Sequence, residues 1–175
     1  MKILFVYPPF CTPASPPYSI TNLHSKIESE VLDLNLEFHK LKFPIYKDYF
    51  QGEIENYEQI AKEYQQVSGR TYAKNNRKVI NNKKPELFDE LLQIIKNKKA
   101  DIIAFSVVYS SQTFYTHALL KELKNTVVGG PAVNKKLLAL TDKTLDIPEE
   151  EPPLDFSSYK DYFTPKPVIP IKSAS

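Results

Sequence analysis

Apolar and polar positions divide this chain into short, wholly apolar runs and longer stretches with helical spacing. Lys2–Tyr7 (KILFVY) is an apolar run stopped by Pro8-Pro9-Phe10, and Ile102–Phe105 is another, bounded by Asp101 and Ser106. Runs this short, with no alternation, predict strands buried on both faces. Val31–Leu34 and Thr126–Val128 predict two more short strands, and Lys143–Ile147 a last edge strand. Between them, Tyr18–Glu30, Glu37–Leu41, Glu86–Asn97 and Thr113–Lys124 carry apolar residues at helical spacing. In the last of these, Phe114, Ala118, Leu119, Leu120 and Leu123 form the expected core stripe. Asn35 is placed to cap the helix through Glu37–Leu41. Pro85 suits the first turn of the next helix, and Asn134–Leu140 predicts a short one.

Strand, helix and strand between Asp101 and Pro131 make a βαβ unit, so these strands should be parallel with a right-handed crossover. The expectation is an α/β domain over residues 1–147. Residues 45–84 form an insertion over one sheet edge, with a helix at Glu53–Val67 and a polar, basic stretch at Ser68–Lys84. From Pro148 prolines recur, yet Leu154, Phe156, Tyr159, Tyr162 and Phe163 are strongly apolar. Residues 148–175 therefore predict an extended arm lying on a surface, with homodimerisation through it as one expected outcome.

Composition narrows the function classes. The 175 residues carry a net charge of only +2, which gives no general case for nucleic acid. Lys74–Lys84 is basic but lacks the aromatic interleaving of a recognised module. The single cysteine, Cys11, excludes an internal disulfide and a cysteine-based metal cluster within this chain. No run of about twenty apolar residues and no signal peptide is found, so the expectation is a cytoplasmic protein with no membrane partner. His24, His39 and His117 have no metal spacing, and no acid–base or nucleophile–base pair can be placed. Neither a catalytic residue nor a metal ligand is expected.

In open parallel sheets, ligands sit outside the carboxyl ends of the strands. The candidate residues at those ends are Pro8, Pro9 and Phe10; Asp33 and Asn35; Ser106, Tyr109 and Ser110; and Gly129, Gly130 and Pro131. Each has a plainer alternative. The glycines serve either a ligand or a turn that needs positive φ. The hydroxyls bind a ligand or cap a helix. Asp33 lines the crevice or orients a loop.

Taken in order, these residues resemble the N-terminal cobalamin-binding-type domain of radical S-adenosylmethionine proteins. The resemblance rests on the opening strand into Tyr7-Pro8-Pro9, on Asp33-Leu34-Asn35 with Glu37-Phe38, and on Ile103–Val107 followed by Tyr109-Ser110-Ser111-Gln112. It continues through Val127-Val128-Gly129-Gly130-Pro131. Leu154-Asp155-Phe156 with Tyr159, then Pro165–Ile171, is similar to the linker into that family's radical domain. The resemblance implies a Rossmann-like, flavodoxin-type sheet and a parent enzyme with a 4Fe-4S cluster and S-adenosylmethionine held by a further, C-terminal domain. That domain would be this chain's partner. Cobalamin is the candidate cofactor here, held base-off because no DxHxxG follows Lys2–Tyr7. The alternatives are a scaffold that binds nothing and positions the barrel or its small-molecule substrate, or an independent flavodoxin-like nucleotide-binding module. The five prolines between Pro8 and Pro17 remove backbone donors that a phosphate would need.

Overall fold

A computed structural model of the chain describes residues 1–13, 17–43 and 57–150. The expected start of the insertion helix and the arm beyond residue 150 lie outside the described residues. Four strands form one sheet: β1 (Ile3–Tyr7), β2 (Glu30–Asp33), β3 (Ile102–Ser106) and β4 (Thr126–Gly129). Their order is β2-β1-β3-β4 and every pairing is parallel. The fold is α/β, with a Rossmann-like sheet in flavodoxin-type order.

The apolar runs are strands because both faces are covered. Leu4, Val6, Leu32, Ile103, Phe105 and Val128 point into the larger core. Ile3, Phe5, Tyr7, Val31 and Ala104 point into a smaller one on the opposite face. Alternate residues thus serve two cores, and no polar position interrupts the run.

Helix α1 (Tyr18–Lys26) covers the smaller core through Ile20. It ends before Glu30, which belongs to β2 and pairs with Lys2 at 2.9 Å. The other face carries α2 (Leu34–Lys42), α3 (Tyr57–Ile80), α4 (Phe88–Asn97), α5 (Thr113–Leu120) and the short α6 (Lys135–Leu138). Their buried residues, among them Phe38, Tyr64, Leu91, Tyr115, Leu119 and Leu137, make the larger core.

Four expectations change. The cap of α2 is Asp33, whose carboxylate accepts from Leu36 N at 2.9 Å. Asn35 already lies inside that helix. The stretch Ser68–Ile80 is helical, so the insertion is dominated by one 24-residue helix. Pro85 precedes α4, whose N-cap Leu87 takes φ 60. Residues 143–147 form no strand. Asp142 instead closes the end of β4, its carboxylate accepting from Asn125 N (3.1 Å) and Thr126 N (2.7 Å). Leu145 and Ile147 then lie on the smaller core.

Candidate functional site

The strand order reverses between β1 and β3, because the chain runs from β1 outward to β2 and then returns to β3. The carboxyl ends of these two strands are tied together from inside. Gln112 is fully buried. Its Nε2 donates to Pro8 O at 2.7 Å, and its Oε1 accepts from Val108 N (2.9 Å) and Tyr109 N (3.0 Å). Tyr109 is the N-cap of a 3-10 turn, Ser110–Gln112, that leads into α5. Asn35 makes a similar tie at the β2 end, accepting from Cys11 N (3.1 Å) and donating to Cys11 O (3.0 Å). These two amides fix the Pro8–Cys11 loop.

Around that loop sits a small group of ionisable side chains. The Cys11 thiol lies 3.6 Å from the Tyr7 hydroxyl. Burial, with Cys11, Tyr109 and Asp33 nearby, pushes the Tyr7 hydroxyl far above the usual tyrosine range. Burial pushes the Cys11 thiol up to about 11, so it is protonated at neutral pH and no nucleophile. Burial also raises Asp33 to about 7, against the opposing bond from Leu36 N. Phe10 points to the other face. It stacks on His39 with centroids 5.0 Å apart and meets Phe38 edge-on at 5.5 Å. Phe10 is a core residue and is not part of the groove lining described below. Pro8 and Pro9 are likewise buried.

One open groove lies on the α1 face. A groove of about 430 Å³ follows the carboxyl ends of β3 and β4, between α1 and the segment carrying Leu145 and Ile147. Of the expected residues, Ser106, Gly129, Gly130 and Pro131 line it; Phe5, Ala104 and Val127 are among its apolar surfaces. Tyr109 and Ser110 are exposed on the loop after β3, outside its lining. Asp33 and Asn35 belong to the β2 end and do not reach it.

The two glycines differ. Gly130 has φ +115, and a Cβ there would fall 2.4 Å from Val107 O. The close approach carries Val107 N to Gly129 O (2.8 Å) and Ala132 N to Val107 O (3.1 Å). Gly130 is therefore required by the turn itself. Gly129 has nothing within 4 Å of a Cβ position, so its lack of a side chain leaves space open at the groove.

Residues that sequence reasoning missed complete the site. Ser19, Asn22 and Leu23 of α1 line the groove. The Ser19 hydroxyl oxygen is buried and has no hydrogen-bond partner among the described residues. An orphaned hydroxyl beside an apolar space is costly unless a ligand or water satisfies it. Gln112 had a readable signal, since a glutamine three residues after an N-cap is the reciprocal half of a capping box. Among the described residues, no group of three or more His, Cys, Asp or Glu side chains is placed to hold a metal ion. No described helix is long and apolar enough to cross a membrane.

Comparison of the chain with protein-family models, with curated proteins and with solved structures gives no match.

Proposed function

We propose that this domain binds a cofactor with a flat, largely apolar part through the α1-face groove, and that the cofactor is cobalamin. The domain would serve a cytoplasmic radical S-adenosylmethionine enzyme whose 4Fe-4S cluster and S-adenosylmethionine sit in a separate catalytic domain. The observation that carries this reading is the groove at the carboxyl ends of β3 and β4, lined by Ser106, Gly129, Gly130 and Pro131. This is the position at which open parallel sheets take ligands.

The groove's dimensions suit the nucleotide tail of a corrinoid. Ala104, Val127, Leu145 and Ile147 offer apolar contact to a heterocycle. Ser19 and Ser106 offer hydroxyls, and Gly129 leaves room for backbone approach. The described edge holds no histidine at the end of β1, so binding would be base-off without a protein axial ligand. When bound, cobalamin would supply methyl-transfer chemistry to the parent enzyme. The residues of this chain would hold and orient it and keep water from its buried part.

A second reading is a scaffold that positions the catalytic domain and binds no cofactor. Gln112 favours it, because it fills and locks the reversal point between β1 and β3. Titration of the purified chain with hydroxocobalamin and methylcobalamin separates the two, followed by the corrinoid spectrum and by heat. Saturable binding with a base-off spectrum supports the cofactor reading. A folded protein that leaves both spectra unchanged leaves the scaffold.

A further inference from the structure

The sheet face opposite α1 carries a second feature, which the cofactor reading does not use. A groove runs along α5, made of two adjoining depressions of about 420 Å³ and 90 Å³ that share Val79, Asn82 and His117. Its presence follows from helical periodicity. Helix α5 buries Tyr115, Thr116, Leu119 and Leu120. That leaves Thr113, Phe114, His117, Ala118 and Lys121 along the opposite side, one turn after another. The C-terminal end of α3 and the N-terminus of α6 wall the groove, so that Phe114, Val79, Ile80 and Leu137 form an apolar floor. Ile80 is 65% exposed and adds its aliphatic side chain to this apolar lining.

The rim is cationic. Lys136 lies at one end, Lys121 and Lys83 toward the other, with His117 between them. Lys84 is neutralised by Asp89 at 2.7 Å, and Glu122 is the acidic lining residue at the far end. Lys121 reaches only the amide oxygen of Asn82, at 3.4 Å. Neither Lys121 nor Lys136 has an acidic ion-pair partner among the described residues. Burial and these two ammonium groups hold the His117 imidazole below its usual value, which registers their field inside the groove.

An apolar floor beneath cations without ion-pair partners among the described residues matches a ligand with an apolar body and an anionic head. We propose that this groove binds a small organic anion, an aromatic or aliphatic body bearing a phosphate or carboxylate. The anion sits among His117, Lys121 and Lys136, and the body lies on Phe114, Ile80 and Leu137. The site lies across the sheet from the α1 groove and does not depend on what that groove holds.

The test uses the full chain and four probes: 1-naphthyl phosphate, 2-naphthoate, inorganic phosphate and the neutral 2-naphthalenemethanol. The readout is the NMR titration of the imidazole Cε1–H signals, with His117 assigned by its loss in His117→Gln. The two aromatic anions should bind saturably and raise the His117 pKa. Inorganic phosphate should bind more weakly, and the alcohol should shift no histidine titration. Lys121→Ala and Lys136→Ala should each weaken naphthyl phosphate about threefold, and Ile80→Asp should weaken both aromatic anions. If folded protein shows no saturable change at His117 with either aromatic anion at millimolar concentration, the proposal fails. It also fails if the Lys121→Ala/Lys136→Ala variant binds as wild type does, or if the alcohol binds as tightly as the phosphate. Equal affinity for inorganic and naphthyl phosphate would overturn the role of the apolar floor.

Discussion

A Cβ on Gly130 would stand 2.4 Å from the carbonyl oxygen of Val107. The contact joins the ends of β3 and β4, and it shapes the groove from beneath. Gly130→Ala should therefore destabilise the domain by roughly 2–4 kcal/mol, from a positive φ and a backbone overlap together. Gly129→Ala, with open space at its Cβ, should stay within about 1 kcal/mol of wild type. Paired urea denaturation curves check the contrast, and equal losses at the two positions would contradict it.

Gln112 offers a second test. Its three hydrogen bonds satisfy one carbonyl and two amides at the strand ends. Gln112→Ala should cost roughly 2–4 kcal/mol, because buried partners are left unpaired. Gln112→Glu keeps the acceptor but turns the donor facing Pro8 O into a repulsive oxygen. It should be poor at pH 8 and recover as the pH falls, when a protonated carboxyl can donate again. Thermal unfolding of both variants at pH 5 and 8 gives the comparison.

Asp33 and His39 predict opposed pH dependences. Asp33 has its folded-state value raised to about 7, chiefly by burial. Its contribution is fully present below the unfolded value near 4 and is lost as pH rises through about 7. His39 is pushed down to about 4 by burial, against the bond to Asn35 O. Its contribution is present above the unfolded value near 6.5 and is lost as pH falls through about 4. The two nearly offset each other between pH 4 and 7, so wild-type stability should be flat there. Asp33→Asn keeps a good N-cap and removes one of the two. This variant should gain on wild type as pH rises from 4 to 7, by an amount on the order of 2–3 kcal/mol. A difference independent of pH, measured by denaturation across that range, would refute the assignment.

Glu86 ties α2 to α3. It pairs with Lys42 of α2 and Lys74 of α3, both at 2.9 Å, and its backbone N donates to Asn75 at 2.7 Å. Desolvation opposes its ionisation, but hydrogen bonds and charge from Lys74 and Lys42 outweigh this and hold the carboxyl at about 2. Its stabilising effect is present above the unfolded value near 4.5 and is lost as pH falls through about 2. With solvent screening of the lysines, Glu86→Gln should cost about 1 kcal/mol at pH 7 and nothing at pH 2. Chemical denaturation at the two pH values checks this.

The strands were legible because Ile3–Tyr7 and Ile102–Phe105 are unbroken apolar runs, and the parallel pairing of β3 with β4 follows from the βαβ unit. The second half of α3 was not. Its buried positions include Thr71, Asn75 and Val79, so polar residues occupy much of the packing stripe and hide its period. Lys143–Ile147 alternates like a strand, yet Asp142 spends its carboxylate on the β4 amides and the chain leaves the edge there. At the site, Gly129, Gly130, Pro131 and Ser106 could be read from the strand ends. Which glycine the backbone requires could not, since that depends on where Val107 lies. Phe10 was misplaced because proline-rich loops carry no periodicity to tell one face from the other. Ser19 sits on a helix of low apolar contrast, and only its orphaned hydroxyl marks it.

The most direct test of the central claim is a hydroxocobalamin titration of wild-type chain beside Val127→Phe. Val127 is half-buried on the groove wall, and a phenyl ring there fills the space the cofactor would take. Circular dichroism is the control that both proteins are folded. The prediction is saturable, base-off binding by wild type that weakens at least about tenfold in Val127→Phe, the loss of one well-filled apolar subsite. No binding by wild type, or equal binding by both proteins, would contradict a cofactor in this groove.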